Sequence, residues 1–236
     1  MDTLVGDHDS IKRAIIQVHM PRMTPAELRD ILKNGEKELG ISFTDSAAER
    51  IIRISQGLPH YTHLLGQHAV RSACKSLDAE VSSSHVQTAC IVAVRDAQQA
   101  ILSKFAAATR SAHKDALYTQ VLLACAITAS RAIDELGFFQ ASSVVEPLRR
   151  IVPPERNVDV STFNKHLVDF CGEKRGPVLE RTGSERNYRY RFRDPLLPPY
   201  AIMHGLSKGI LNSSIIDQLV ATSGGDSVAN GQMKLF

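Results

Sequence analysis

The sequence holds no Gly-x-x-x-x-Gly-Lys-Ser/Thr loop, in which backbone N–H groups and one lysine neutralise nucleotide phosphates, so nothing in its 236 residues is suited to hydrolysing ATP alone. Ile133-Asp134-Glu135 does not supply a Mg²⁺-binding strand end, because Ser130, Arg131 and Ala132 precede it where an apolar run is needed. The absence of a Gly-x-Ser-x-Gly elbow removes a Ser-His-Asp hydrolase of that type. No apolar run approaches the roughly 20 residues that span a bilayer, and Met1 to Asp9 has neither a basic nor an apolar leader segment. A membrane partner and secretion are therefore not expected, and the cytoplasm is the predicted compartment. Cysteine is scarce: Cys74, Cys90, Cys125 and Cys171 stand far apart, no pair has zinc-ligand spacing, and three sit among small apolar residues, the pattern of buried, reduced thiols. His60, His63 and His68 could share part of one helical face. No carboxylate or cysteine accompanies them at ligand spacing, so surface histidines are the reading and no metal is expected.

What is present is an ordinary globular balance, 43% apolar and 22% charged, in a chain long enough for two modest domains. Thr24, Pro25 and Glu27 form a capping-box start, predicting a helix from Pro25 to about Leu39 with Leu28, Ile31, Leu32 and Leu39 mostly on one face and Gly40 as its end. A second helix follows the Thr44 cap and stops at Gly57. A third opens at Pro59 and runs towards Leu77, and a fourth begins in Ser82-Ser83-Ser84 and reaches towards Phe105 through Ala89, Ala93, Ala97 and Ile101. Four helices with short connections predict a small bundle.

A small, polar run from Ala106 to Lys114 reads as a linker or a helix extension, after which a second unit begins. Its helices are predicted over Asp115 to Thr128, over Ser142 to Ile151 with Ser142 as cap, and over Ser161 to Cys171 with Ser161 as cap. Tyr188, Tyr190 and Phe192 alternate with Arg189, Arg191 and Arg193 behind a Gly-Ser turn, which predicts a β-hairpin. The fold class is thus mainly α: a helical bundle followed by a winged helix-turn-helix with a β-hairpin wing. The predicted divisions are an N-terminal segment over 1–20, a helical unit over 21–108, the winged helix over 114–211 and a flexible Ser/Gly/Asp/Asn-rich tail over 212–236. A further apolar stretch from Asp194 to Leu211 is expected to pack back on the body.

Val18-His19-Met20-Pro21-Arg22-Met23-Thr24 leading into a Glu-Leu helix, then Gly57-Leu58-Pro59-His60, then Tyr190-Arg191-Phe192-Arg193-Asp194-Pro195 closing a winged helix, resembles the lid and carboxy-terminal winged helix of AAA-plus ATPases. The nearest branches are the origin-recognition initiators and the signalling ATPases with a Gly-x-Pro lid motif, and the resemblance covers about residues 5 to 205. It implies that Pro21 and Arg22 line an adenine, and that Gly57, Pro59 and His60 face the phosphates from a helix N-terminus, whose free N–H groups suit an anion. The initiators carry a sensor arginine near this helix start, where the chain has His60. Gly57 and Pro59 also read simply as a helix stop and a helix start. ATP is implied only with an ATPase core supplied upstream or by a neighbouring subunit; no cofactor is expected in the chain itself. Motion between lid and wing would be the output.

From Lys174 to Arg193 seven basic residues face two acidic ones, a surplus larger than the net charge of +3 of the whole chain. Such a concentration suits a phosphate backbone through counterion release. Double-stranded DNA is the partner this predicts, with Arg181, Arg186, Arg189 and Arg191 on the hairpin and Asn164, Lys165 and His166 on the third helix. The alternative is a protein-docking module that binds no nucleic acid, its arginines forming the solvated face of a strand. The terminal Gln232-Met233-Lys234-Leu235-Phe236 resembles the Gln-x-x-Leu-Phe peptide with which bacterial replication and repair proteins dock on the sliding clamp. Gln232, Leu235 and Phe236 would carry that contact.

Overall fold

A computed structural model describes residues 21–113, 116–131, 134, 136–185, 187–212 and 215. The predicted segment over 1–20, Arg186, and the Gln232, Leu235 and Phe236 motif lie outside the described residues. The architecture is mainly helical. Helix α1 (Pro25–Leu39) starts at the predicted box: Glu27 N–H donates to Thr24 Oγ1 at 3.3 Å, and Thr24 N–H donates to the Glu27 carboxylate at 2.7 Å. A cap of this kind contributes about 1 kcal/mol. Strand β1 (Ser42–Phe43) leads to α2 (Asp45–Ser55), capped by Thr44, and α3 (Pro59–Ser76) follows. Strand β2 (Glu80–Val81) pairs in parallel with β1, a two-residue ladder too short to leave a periodic signature.

The predicted fourth helix is two helices, α4 (Ser83–Arg95) and α5 (Gln99–Thr109). Ala89, Ala93, Ala97, Ile101 and Phe105 continue one four-residue rhythm through the break, so the apolar pattern conceals it. The break separates two contacts: α4 packs on α3, while α5 packs on α6 (Tyr118–Ala129). Two further expectations are corrected. Ser142 caps nothing; a single 3₁₀ turn over Ala141–Val144 precedes α7 (Val145–Ile151). Helix α8 (Val160–Cys171) is capped by Asp159, whose carboxylate accepts from Thr162 N–H at 3.0 Å, and Ser161 lies inside the helix. Cys74 and Leu39 are exposed, whereas Cys90 and Cys125 are buried.

The hairpin is present as β4 (Leu179–Thr182) and β5 (Arg189–Phe192), antiparallel, with Tyr190 opposite Arg181 and Phe192 opposite Leu179. A strand the sequence did not announce, β3 (Phe139–Gln140), pairs antiparallel with the other edge of β5, giving the order β3-β5-β4. Helix α9 (Leu197–Ser207) takes Pro198 and Pro199 in its first turn, where a missing N–H costs nothing. It lies against α4 and α6 together, so buried side chains from Leu28 to Leu211 form one continuous core. Polar links cross the same boundary: Tyr61 Oη donates to Leu196 O at 2.9 Å, and Gln87 Nε2 donates to Leu206 O at 3.0 Å.

Gly205 marks the tightest crossing, since a Cβ there would meet Leu123 Cδ2 at 2.9 Å and Leu211 Cδ1 at 2.8 Å. Gly205→Ala is expected to force α9 off α6 and to lower stability by roughly 1–3 kcal/mol. The check is urea unfolding followed by circular dichroism, and an unchanged midpoint contradicts this packing.

Candidate functional site

The Pro21–Met23 turn lies across the connection between α2 and α3. Met23 N–H donates to Gly57 O at 3.0 Å and Arg22 Nη1 donates to Gln56 O at 2.6 Å. Gly57 has φ 77°, and a Cβ on it would stand 2.6 Å from Arg22 Cβ and 2.9 Å from Met23 O. Glycine is therefore required by the turn that covers it as well as by the helix stop. Burial pulls the Arg22 guanidinium below its ordinary value. Beside the turn is a cleft of about 350 Å³ whose walls include Arg22, Arg53, Gln56, Gly57 and Arg131. Arg53 pairs with Glu49 at 3.5 Å and Arg131 with Glu146 at 3.4 Å. Gln56 Nε2 donates to Ala126 O at 3.0 Å, while its buried Oε1 has no partner among the described residues. Arg22 and Gly57 thus share one cleft. Pro59 and His60 do not line it; they are exposed at the start of α3, with the His60 ring edge-on to Tyr61.

On α8, Phe163, Leu167 and Phe170 face the core, leaving Asn164 and Lys165 exposed. His166 does not join them. Its ring packs on Tyr118 with centroids 4.6 Å apart, its Nδ1 is buried without a partner among the described residues, and burial lowers its pKa. Tyr118 Oη donates to Asp169 Oδ2 at 2.6 Å, and the Arg175 guanidinium sits 3.5 Å above the Tyr118 ring. That guanidinium also donates to Ala108 O at 3.1 Å and to Arg110 O, satisfying carbonyls at the end of α5. Sequence reasoning missed this latch because its members are scattered from 108 to 175.

The hairpin arginines divide. Tyr190 and Phe192 are buried, and the opposite face carries Arg189 and Arg191. Arg189 Nη1 reaches Asp134 Oδ2 at 2.6 Å. Arg191 Nε donates to Glu180 Oε1 at 2.6 Å, its Nη1 donates to Leu136 O at 2.8 Å, and its guanidinium covers the Phe138 ring at 4.5 Å. Neither is the unpaired cation that the sequence surplus suggested. Asp134, from the rejected Mg²⁺ motif, organises the loop before β3 by accepting from Leu136 and Phe138 N–H at 3.0 and 2.9 Å. The Phe138 bond leads the causes that hold its carboxyl below the usual range. Arg181 is exposed and stacks 4.7 Å from the Tyr188 ring. No group of histidine, cysteine and carboxylate side chains that could hold a metal occurs among the described residues. No helix among them is long and apolar enough to cross a membrane.

His68, His166 and His204 are all lowered, burial being the first cause in each. Unfolded imidazoles take up protons near pH ~6.5, the native ones only at lower pH. The stability contributed by the neutral rings is therefore complete above ~6.5 and is lost as pH falls through that value towards the native pKa values. The urea midpoint is expected to drop between about pH 7.5 and 5.5, and to drop less in His166→Phe. An equal drop in the variant contradicts the burial of His166.

No family model matches the chain. Phosphopantetheine adenylyltransferases from three Clostridium botulinum strains are 30% identical over 101 residues, covering 39% of this chain and 61% of theirs. The chain therefore spans less than two thirds of the curated relatives it matches. The crystal structure of Cdc6p from Pyrobaculum aerophilum aligns with 90% of this chain and 56% of its own, at 13% identity and a TM-score of 0.34. A superposition that loose supports no argument about this chain.

Proposed function

We propose that the chain is the lid and winged-helix module of an AAA-plus-type nucleotide switch, acting on duplex DNA through α8 and not itself an ATPase. The observation that carries this reading is the order of elements in the second unit. Helix α6, strand β3, helices α7 and α8 and the β4–β5 hairpin succeed one another, with β3 and β4 flanking β5. A helix-turn-helix followed by such a hairpin aims its second recognition helix at a major groove. Asn164 and Lys165 are exposed on α8, and Arg181 is exposed on the hairpin. In the lid, the Arg22 bond to Gln56 O and the close fit of Gly57 under the Pro21–Met23 turn, both beside the cleft, support a nucleotide-facing role for that turn, with ATP held chiefly by a core outside this chain. The continuous core supports lid and wing moving together against that core, in place of motion between the two.

Protein docking is the second reading, and one observation favours it: Arg189 and Arg191 spend their charge on Asp134 and Glu180. A salt titration of duplex binding separates the readings. The DNA reading expects log affinity to fall linearly with log salt, and Lys165→Glu with Arg181→Glu to cut affinity by an order of magnitude or more and flatten the slope by about 1.8. Binding without salt dependence, or indifferent to both substitutions, removes it.

A further inference from the structure

A groove of about 1320 Å³ lies between α5 and α8, and the reading above leaves most of it unused. Its floor is apolar, with Leu102 and Ala106 from α5 and Val168 from α8. Val168 stands 40% exposed, on a helix whose other large apolar side chains face inward. The edge is cationic: Arg110, Lys165 and Lys174 are exposed, and none has an ion-pair partner among the described residues. Arg175 is already fixed on the carbonyls of Ala108 and Arg110 and on the Tyr118 ring, so the inner wall is set before anything binds. Of the two carboxylates at the groove, Asp169 already accepts the Tyr118 hydroxyl, which leaves Glu173 against the cations.

We infer that this groove docks an acidic, amphipathic helical segment of a partner protein. Charge complementarity selects the acidic face, and the apolar floor selects the other. A phosphate backbone satisfies the edge but has no apolar surface to lay over Leu102, Ala106 and Val168, whereas a helix with leucines at three- and four-residue spacing and carboxylates beside them satisfies both. The groove is the size of roughly two to three turns of helix at about 10 Å diameter and 5.4 Å pitch. Lys165 belongs to this groove and also to the proposed DNA face, so a docked segment and duplex DNA compete; that competition rests on the DNA reading, the docking does not.

The test is fluorescence anisotropy of a labelled helical peptide carrying Leu on one face and Glu on the other, titrated with the full chain. Saturable binding is expected. It should weaken at least about tenfold when the peptide's leucines become serine, and by a similar factor in Ala106→Glu and in Lys174→Glu, each tenfold step corresponding to about 1.4 kcal/mol. Both substitutions sit at exposed positions, and an unchanged circular dichroism spectrum confirms folding. Absence of saturable binding, or binding indifferent to both substitutions, overturns the inference. So does duplex DNA that loses its affinity in Ala106→Glu while the peptide binds nowhere, since the groove then belongs to nucleic acid. Peptide binding in a chain that binds no duplex upholds the docking and removes the DNA reading.

Discussion

Helix α9 is the constraint on which the rest of the molecule depends. It is the last described helix, yet its buried side chains lie against α4 from the first unit and α6 from the second. Because interiors are packed as densely as organic crystals, neither unit can rotate by a few degrees without opening voids along α9. The Tyr61 bond to Leu196 O and the Gln87 bond to Leu206 O hold the same seam with directional contacts. The Arg175 latch repeats the arrangement at the other side, tying the end of α5 to α8 through the Tyr118 ring. A displacement of the first unit is thereby a displacement of α8, which is the mechanical requirement of the proposed switch.

Charge reaches its final distribution through pairing. The hairpin lies in the basic Lys174–Arg193 stretch, but Asp134 and Glu180 neutralise two of its arginines on its own face. Exposed pairs of this kind contribute about 1 kcal/mol or less to stability. Their larger consequence is for recognition: unpaired cationic character shifts away from β5 towards Arg181, Lys165, Lys174 and Arg110. The proposed DNA face and the proposed peptide groove meet along that line, with Lys165 common to both.

Features set by neighbouring residues were legible in the sequence. The Thr24–Glu27 box, the Thr44 cap, the Pro59 start and the alternation of Tyr190 and Phe192 all have local causes, and each lies where it was expected. Features set by distant partners were not. The α4–α5 break hides inside an unbroken apolar rhythm, and β3 is too short to declare itself except by pairing with β5. The Asp159 cap was mistaken for Ser161 because both side chains accept hydrogen bonds and stand two positions apart. At the candidate site, the exposure of Asn164 and Lys165 follows from helical periodicity. The inward turn of His166 and the pairing of Arg189 follow from Tyr118 and Asp134, more than forty positions away.

Native-state hydrogen exchange of the intact chain tests the shared core most directly. With one core joined through α9, amides in α4, α6 and α9 exchange through a common opening and respond with the same slope to denaturant. Protection of α6 and α8 that is lost in a separate, lower-energy step while α3 and α4 stay closed would contradict it.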